Sequence, residues 1–325
     1  MVYPYANTGG LITIYIALRR APHSLITIIL SHGSSSSGGQ RCRPTPSTAA
    51  TFWYGASGPR PCIVDTPFAA SRACVALRGQ RVLAIDLEGA PLGTRISLLQ
   101  IAIPPPPPPP PPSSIIAAGG TATRQVPRVF LFDVLALGQT LFDSAHLRPL
   151  LSDPTVLKLC YDCRGDGSAL LLQHGVRLRG AYDLQIVFTS LFQCAVADPF
   201  LKGLHRAVEF IAPPRVSQAF GERKRAAKRI WGTQGPAATA LQRPLTKEAI
   251  SYAADDVTPL LEMHRVWSTL ISERAVVAAS AGRLQRHLWQ QQQPQQPPMM
   301  CRVDFNLVRA HHRAVVTMPS ASSSA

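Results

Sequence analysis

Asp86 and Glu88 stand two positions apart inside the apolar run Val82-Leu83-Ala84-Ile85-Asp86-Leu87-Glu88-Gly89. Side chains alternate between the faces of a strand, so the two carboxylates share one face while Ile85 and Leu87 share the other. Two acids on an otherwise buried strand repel and lose hydration, at a cost of several kcal/mol, unless positive charge sits between them. Ionised carboxylate oxygens are hard ligands suited to Mg²⁺ or Mn²⁺. The alternative is that the acids lie at a solvated strand end. Two further groups bear on the choice. Asp162 and Asp166 fall just past an apolar strand, where it gives way to a helix, and Tyr252 and Asp256 lie four apart on the last strong helix, one above the other on the same face. Together they make the pattern of a two-metal phosphodiesterase. Asp86 would ligate both cations, Glu88 and Asp256 one of them, and Asp166 the second, directly or through water. Tyr252 would orient the attacking water, and such ions stand about 3.5–4 Å apart across one phosphate.

The elements needed to bring these groups together are legible in outline. Cys62 to Asp65 reads as a short strand and Phe68 to Leu77 as a helix. The strand 82–88 turns through Gly89, Pro91 and Gly93 into an antiparallel partner, Arg95 to Ile103. Nine prolines, Pro104 to Pro112, and a Ser, Ala, Gly and Thr stretch to about residue 125 form an insertion. Proline cannot donate to a ladder, and lengthening a hairpin loop costs little closure entropy. Arg128 to Val134 restores the sheet, and Thr155 to Tyr161 is a fourth strand. Helices are expected over Leu141 to Leu151, Gly165 to His174, Tyr182 to Phe192, Leu201 to Phe210 and Thr246 to Ser272, the last with Thr246 as N-cap. Hairpin strands followed by alternating helices and strands describe an α/β domain with a mixed sheet. Residues 61–272 form this domain, 1–60 a basic extension, and 273–325 a Gln/Pro-rich and Ser-rich tail.

Composition narrows the partners. A net charge of +15 over 325 residues favours a polyanion. Seven cysteines without framework spacing argue for a reducing, intracellular compartment rather than a disulfide scaffold, and Cys160 and Cys163 lack a second pair to complete a zinc site. The first acid is Asp65, and the Ser- and Arg-bearing lead before it resembles an organelle transit peptide, with nucleus or cytoplasm as the alternatives. Its apolar patches are too short to span a bilayer, and no transmembrane segment is expected. The run Arg223, Lys224, Arg225, Lys228, Arg229, with Trp231, could track a nucleic-acid backbone and stack a base, or form a solvated helix face. Pro104 to Pro112 could dock proline-recognition domains.

Three motifs, in order, resemble the DEDDy subgroup of 3′-5′ exonucleases, the ribonuclease D-like family: Ile85-Asp86-Leu87-Glu88-Gly89, then Lys158 to Asp166, then Tyr252-Ala253-Ala254-Asp255-Asp256. In that family the metal acid lies eight positions after the lysine, which selects Asp166 over Asp162. Tyr182-Asp183-Leu184-Gln185, Leu201-Lys202-Gly203-Leu204 and Arg243-Pro244-Leu245 add matches, and the first two motifs look most like the Egalitarian-like branch. The resemblance covers roughly residues 61 to 272. It implies a ribonuclease H-like mixed sheet flanked by helices and two divalent ions, Mg²⁺ or Mn²⁺. It also implies release of nucleoside monophosphates from a single-stranded 3′ end of RNA or DNA, with Asp86, Glu88, Asp166 and Asp256 as ligands and Tyr252 beside them. The polyproline insertion and Tyr161, where this branch commonly has His, depart from the pattern. Some members lack the acids and serve as RNA-binding adaptors, so a catalytically silent adaptor is the alternative reading. All four acids and the tyrosine are present here.

Overall fold

The computed structural model describes residues 61–89, 95–105, 126–143, 147–193, 201–234 and 242–292, together with two short strands at 12–15 and 29–32. Those two, β1 (Ile12–Tyr15) and β2 (Ile29–His32), pair antiparallel. Most of the 1–60 extension, the insertion from 106 to 125 and the chain after 292 lie outside the described residues.

A six-stranded mixed sheet carries the fold. In chain order the elements are β3 (Cys62–Val64), α1 (Pro67–Leu77), β4 (Val82–Glu88), β5 (Leu98–Ile103), β6 (Arg128–Asp133), α2 (Val134–Leu137), α3 (Thr140–Asp143), α4 (Leu147–Ser152), β7 (Leu157–Cys160) and α5 (Arg164–His174). They continue with β8 (Ala181–Asp183), α6 (Leu184–Phe188), a π-helical turn (Thr189–Gln193), α7 (Leu204–Ile211), α8 (Pro214–Gln234), α9 (Lys247–Trp267) and α10 (Glu273–Gln292). The strand order is β3-β6-β5-β4-β7-β8. β4, β5 and β6 run antiparallel to their neighbours in that trio, while β3–β6, β4–β7 and β7–β8 pair in parallel.

The period-2 pattern of β4 divides its residues between two cores. Leu83, Ile85 and Leu87 join one, with Phe130, Phe132 and residues of α1, α4 and α5; Ala84 joins the other, with Ala253, Val257 and Leu260 of α9. Asp86 and Glu88 therefore point to the α9 side. β4 is central in the sheet, and Asp86 and Glu88 are half-buried at its C-terminal end beneath α9. Gly89 ends the strand at φ +80°, and an added Cβ would collide with the Arg95 carbonyl, so only glycine makes this turn. Thr246 caps α9 as expected, its side chain accepting from the Ala249 amide at 3.2 Å. Arg243 grips Asp133 at the end of β6 and donates to the Ser97 carbonyl at 3.1 Å, fixing where the chain enters α9.

The structure departs from the expected elements in several places. Residues 182–192 are not one helix: Ala181–Asp183 adds a sixth strand in parallel with β7, and Asp183 then caps α6 by accepting from the Gln185 amide at 3.0 Å. The span 141–151 divides into α3 and α4. Residues 214–234, rich in basic side chains, form one long helix. The opening of the expected tail is helical through Gln292, with Val276, Ser280, Arg283 and Leu284 buried against the domain.

Candidate metal centre

One oxygen each from Asp86, Glu88 and Asp256 lies within 4.8 Å of the other two, a spacing that suits one cation. The strand supplies the first two, and α9, lying across that face, supplies the third. Gln100 sits opposite Asp86 on β5 and its side-chain amide donates to Glu88 Oε1 at 3.2 Å, fixing that carboxylate's orientation. Asp256 Oδ2 is buried and has no hydrogen-bond partner among the described residues. A buried carboxylate oxygen left without a donor is costly, and a divalent ion at this point would satisfy it. The donor set, all carboxylate oxygen, fits a hard cation.

Asp166 lies in the first turn of α5 and is buried. It is not among the three oxygens that share one point, yet its charge is the strongest of those felt by Asp86. Asp86 thus belongs to the triad and also feels the charge of Asp166. Burial pushes the Asp86 and Glu88 carboxyls well above the ordinary range, and their acidic neighbours add to it, Asp166 first for Asp86 and Asp256 first for Glu88. Asp166 is pushed up to about 8, by burial and then by the charges of Asp162, Asp183 and Asp256. Tyr252, one turn before Asp256, feels burial first and then Asp256, Glu88 and Asp86, all raising it, so its phenol remains a protonated donor facing the acids.

The basic run leaves Lys224 open between a nucleic-acid surface and a solvated helix face; α8 instead carries its ammonium into this cluster. Nζ donates to Asp256 Oδ1 and lies 3.8 Å from the centroid of the Tyr252 ring. It lowers the carboxyl shifts of Asp86, Glu88 and Asp256, as a bound cation would. Arg223 likewise turns inward, its Nε and Nη2 donating to the buried Asp255 at 2.6 and 3.2 Å. Asp255 is accordingly a structural partner. Arg225 is exposed, and the side chains of Lys228, Arg229 and Trp231 lie outside the described residues. Lys158 is buried on the sheet face opposite the acids, donating to the Leu150 and Asp153 carbonyls, a structural anchor rather than part of the centre.

A stability consequence follows from these shifts. An acid whose pKa is raised by folding binds a proton that the unfolded chain has lost, so its contribution to stability falls as pH rises from about 4 towards the folded value. For Asp166 that window closes at about 8. Metal binding needs the ionised ligands and reverses the loss. Thermal unfolding in EDTA and in Mn²⁺ at pH 6 and 8 should therefore show a metal-induced rise in Tm that widens with pH. At a hundredfold excess over Kd the rise would be about 5–10 °C. A gap that is constant, or narrows, contradicts the site.

A family model described as a 3′-5′ exonuclease matches residues 122–270, which include Asp166, Tyr252 and Asp256. The piRNA biogenesis protein EXD1 of Xenopus laevis is 42% identical over 71 residues, 22% of this chain and 15% of that protein. Its Mus musculus counterpart is 37% identical over 59 residues, 18% of this chain and 10% of that protein. The chain thus spans a small part of the curated relatives it matches. Among solved structures, the Trypanosoma brucei RNase D: GMP complex is similar with a TM-score of 0.54 and 26% identity, covering 70% of this chain and 64% of that one. The complex of the same enzyme with RNA U12 superposes with a TM-score of 0.53 at 24% identity over 74% of each chain, a likeness of fold.

Proposed function

This chain carries a 3′-5′ exonuclease domain of the DEDDy, ribonuclease D-like type, and on that premise we propose that it hydrolyses the terminal phosphodiester of single-stranded RNA or DNA and releases nucleoside 5′-monophosphates. The observation that carries the reading is the convergence of Asp86, Glu88 and Asp256 on one point beside Asp166 and Tyr252. Such a group of close, largely desolvated acids is unfavourable as a purely structural feature.

In this reading Asp86, Glu88 and Asp256 hold one divalent ion, and Asp86 and Asp166 the second. Bound there, Mg²⁺ or Mn²⁺ would supply Lewis acidity, lowering the pKa of the attacking water and offsetting charge on the phosphate. The chain's own part is positioning. Gln100 orients Glu88, and Tyr252, protonated, donates towards the water that attacks. Lys224 pairs with Asp256 and is placed to compensate negative charge as the substrate phosphate enters. That the similar Trypanosoma brucei enzyme was captured with GMP, a nucleoside monophosphate, supports this class of product. The net charge of +15 supports a nucleic-acid substrate.

The test is a 5′-labelled single-stranded oligonucleotide incubated with the full chain and Mn²⁺. Progressive shortening with mononucleotide release is expected, and none in EDTA. Tyr252→Phe removes the donor without disturbing packing and should slow turnover about 10²-fold, near the lower end of what one positioned proton-handling group contributes. A change below twofold would remove Tyr252 from the chemistry.

A second reading is favoured by the names of the curated relatives, which concern piRNA biogenesis rather than nuclease activity. In it the domain is an adaptor that binds RNA without cutting it. Tight RNA binding with no shortening in either Mg²⁺ or Mn²⁺ would establish the adaptor instead.

A further inference from the structure

Arg283 of α10 is buried and its guanidinium forks among partners that stand about a hundred positions earlier in the chain. Nη1 donates to Asp183 Oδ2 at 2.6 Å; Nη2 donates to Gln185 Oε1 at 2.6 Å and lies 3.3 Å from Asp162 Oδ1. These partners hold the turn between β7 and α5. Asp183 Oδ1 accepts from the Asp162 amide at 2.9 Å, and Arg164 grips the Asp162 carboxylate from the other side at 2.6 and 2.7 Å. Asp162 sits at φ 65°, a left-handed conformation that a non-glycine residue keeps only where its surroundings enforce it. Burial works against the Asp162 charge, but the hydrogen bonds of Arg164 and the charge of Arg283 hold its carboxyl below the ordinary range.

The same helix touches this region at neighbouring positions. Ser280 Oγ accepts from the Asp183 amide at 3.0 Å, and Leu284 packs so closely on α5 that a Cβ at Gly167 would stand 2.5 Å from its Cδ2. Gly167 directly follows Asp166. α10 lies beyond residue 270, where the family match ends.

We propose that Arg283 is a positioning residue for Asp166: by clamping Asp162 and Asp183 it fixes the turn that delivers that carboxylate, and so makes α10 part of the functional unit. The assignment rests on the metal-binding reading above. Outer groups that orient a metal ligand typically alter metal affinity by about 10–100-fold when removed.

The experiment counts bound Mn²⁺ per full chain by electron paramagnetic resonance of the free ion, with Tm measured alongside. The variants are Arg283→Met, Arg283→Lys and, as a control on the same helix, the buried Val276→Ala. Arg283→Met should keep one ion near wild-type affinity and bind the second about 10–100-fold more weakly. Arg283→Lys should fall between, since one ammonium cannot replace the fork. Val276→Ala should lower Tm and leave both ions as they were. Two ions bound by Arg283→Met as tightly as by wild type, or the same loss in Val276→Ala, overturns the assignment. If Arg283→Met does not fold, Arg283→Lys decides, and unchanged affinity for the second ion overturns it. A wild type that binds no Mn²⁺ overturns the metal reading as well, whereas wild-type binding of two ions with unaltered variants overturns this assignment alone.

Discussion

Asp86→Asn should abolish turnover, by about 10³-fold or more, while the protein stays folded. Asp86 belongs to the triad and feels the charge of Asp166 more than that of any other acid, so in the proposed chemistry its carboxylate would serve both ions. Lewis-acid stabilisation of a phosphoryl transition state is worth several kcal/mol, and about 4 kcal/mol corresponds to three decades of rate. Asparagine keeps the shape of the side chain and removes the charge. The expected signature is therefore a loss of rate with unchanged or higher Tm in EDTA, because a buried carboxylate among like charges opposes folding above its unfolded pKa. Mononucleotide release and a melting curve on one preparation check both halves. Activity within tenfold of wild type would remove Asp86 from the reaction. Inactivity with a collapsed Tm would show that the residue is needed for folding instead.

Asp166→Asn is expected to be nearly as severe, about 10²–10³-fold in rate, with a different metal signature. The triad of Asp86, Glu88 and Asp256 does not include Asp166, so one ion should still bind while the Mn²⁺ dependence of the residual rate moves to higher concentration. The variant should also show a shallower pH dependence of metal-free stability between about 6 and 8, since Asp166, pushed up to about 8, is one of the raised acids that contribute to it. A titration of rate against Mn²⁺, with Tm at the two pH values, separates this from a general loss of structure. If the Mn²⁺ midpoint stays put and the Tm profile keeps the full wild-type slope, Asp166 does not hold an ion.

How much of this was legible beforehand depended on whether the physics was local. β4 was read with its observed bounds, because alternation places Asp86 and Glu88 on one face whatever packs above them. α9 was legible for the same reason: Thr246 caps it, and an i, i+4 relation puts Tyr252 over Asp256 without further information. β8 was hidden because its three residues, Ala181–Asp183, run straight into a helix whose apolar side chains continue the pattern; only parallel pairing with β7 makes them a strand. α8 was obscured by its charge. Two residues of the basic run fold inward, where Arg223 and Lys224 pair with Asp255 and Asp256, and no local rule tells a lysine that meets a phosphate from one that meets a buried acid. Arg283 was the least accessible of all. Its partners are about a hundred residues distant, and its helix runs into the glutamines that marked the region as tail. An arginine two positions past an Ala-rich stretch, Ala275 to Ala281, was the available signal.

The most direct measurement is a crystal of the full chain grown or soaked with Mn²⁺, with anomalous diffraction locating the ions. The account predicts a peak enclosed by Asp86, Glu88 and Asp256, a second between Asp86 and Asp166, and the Lys224 ammonium withdrawn from Asp256. A map with no anomalous peak among these carboxylates at saturating Mn²⁺, and Lys224 still paired with Asp256, would contradict it.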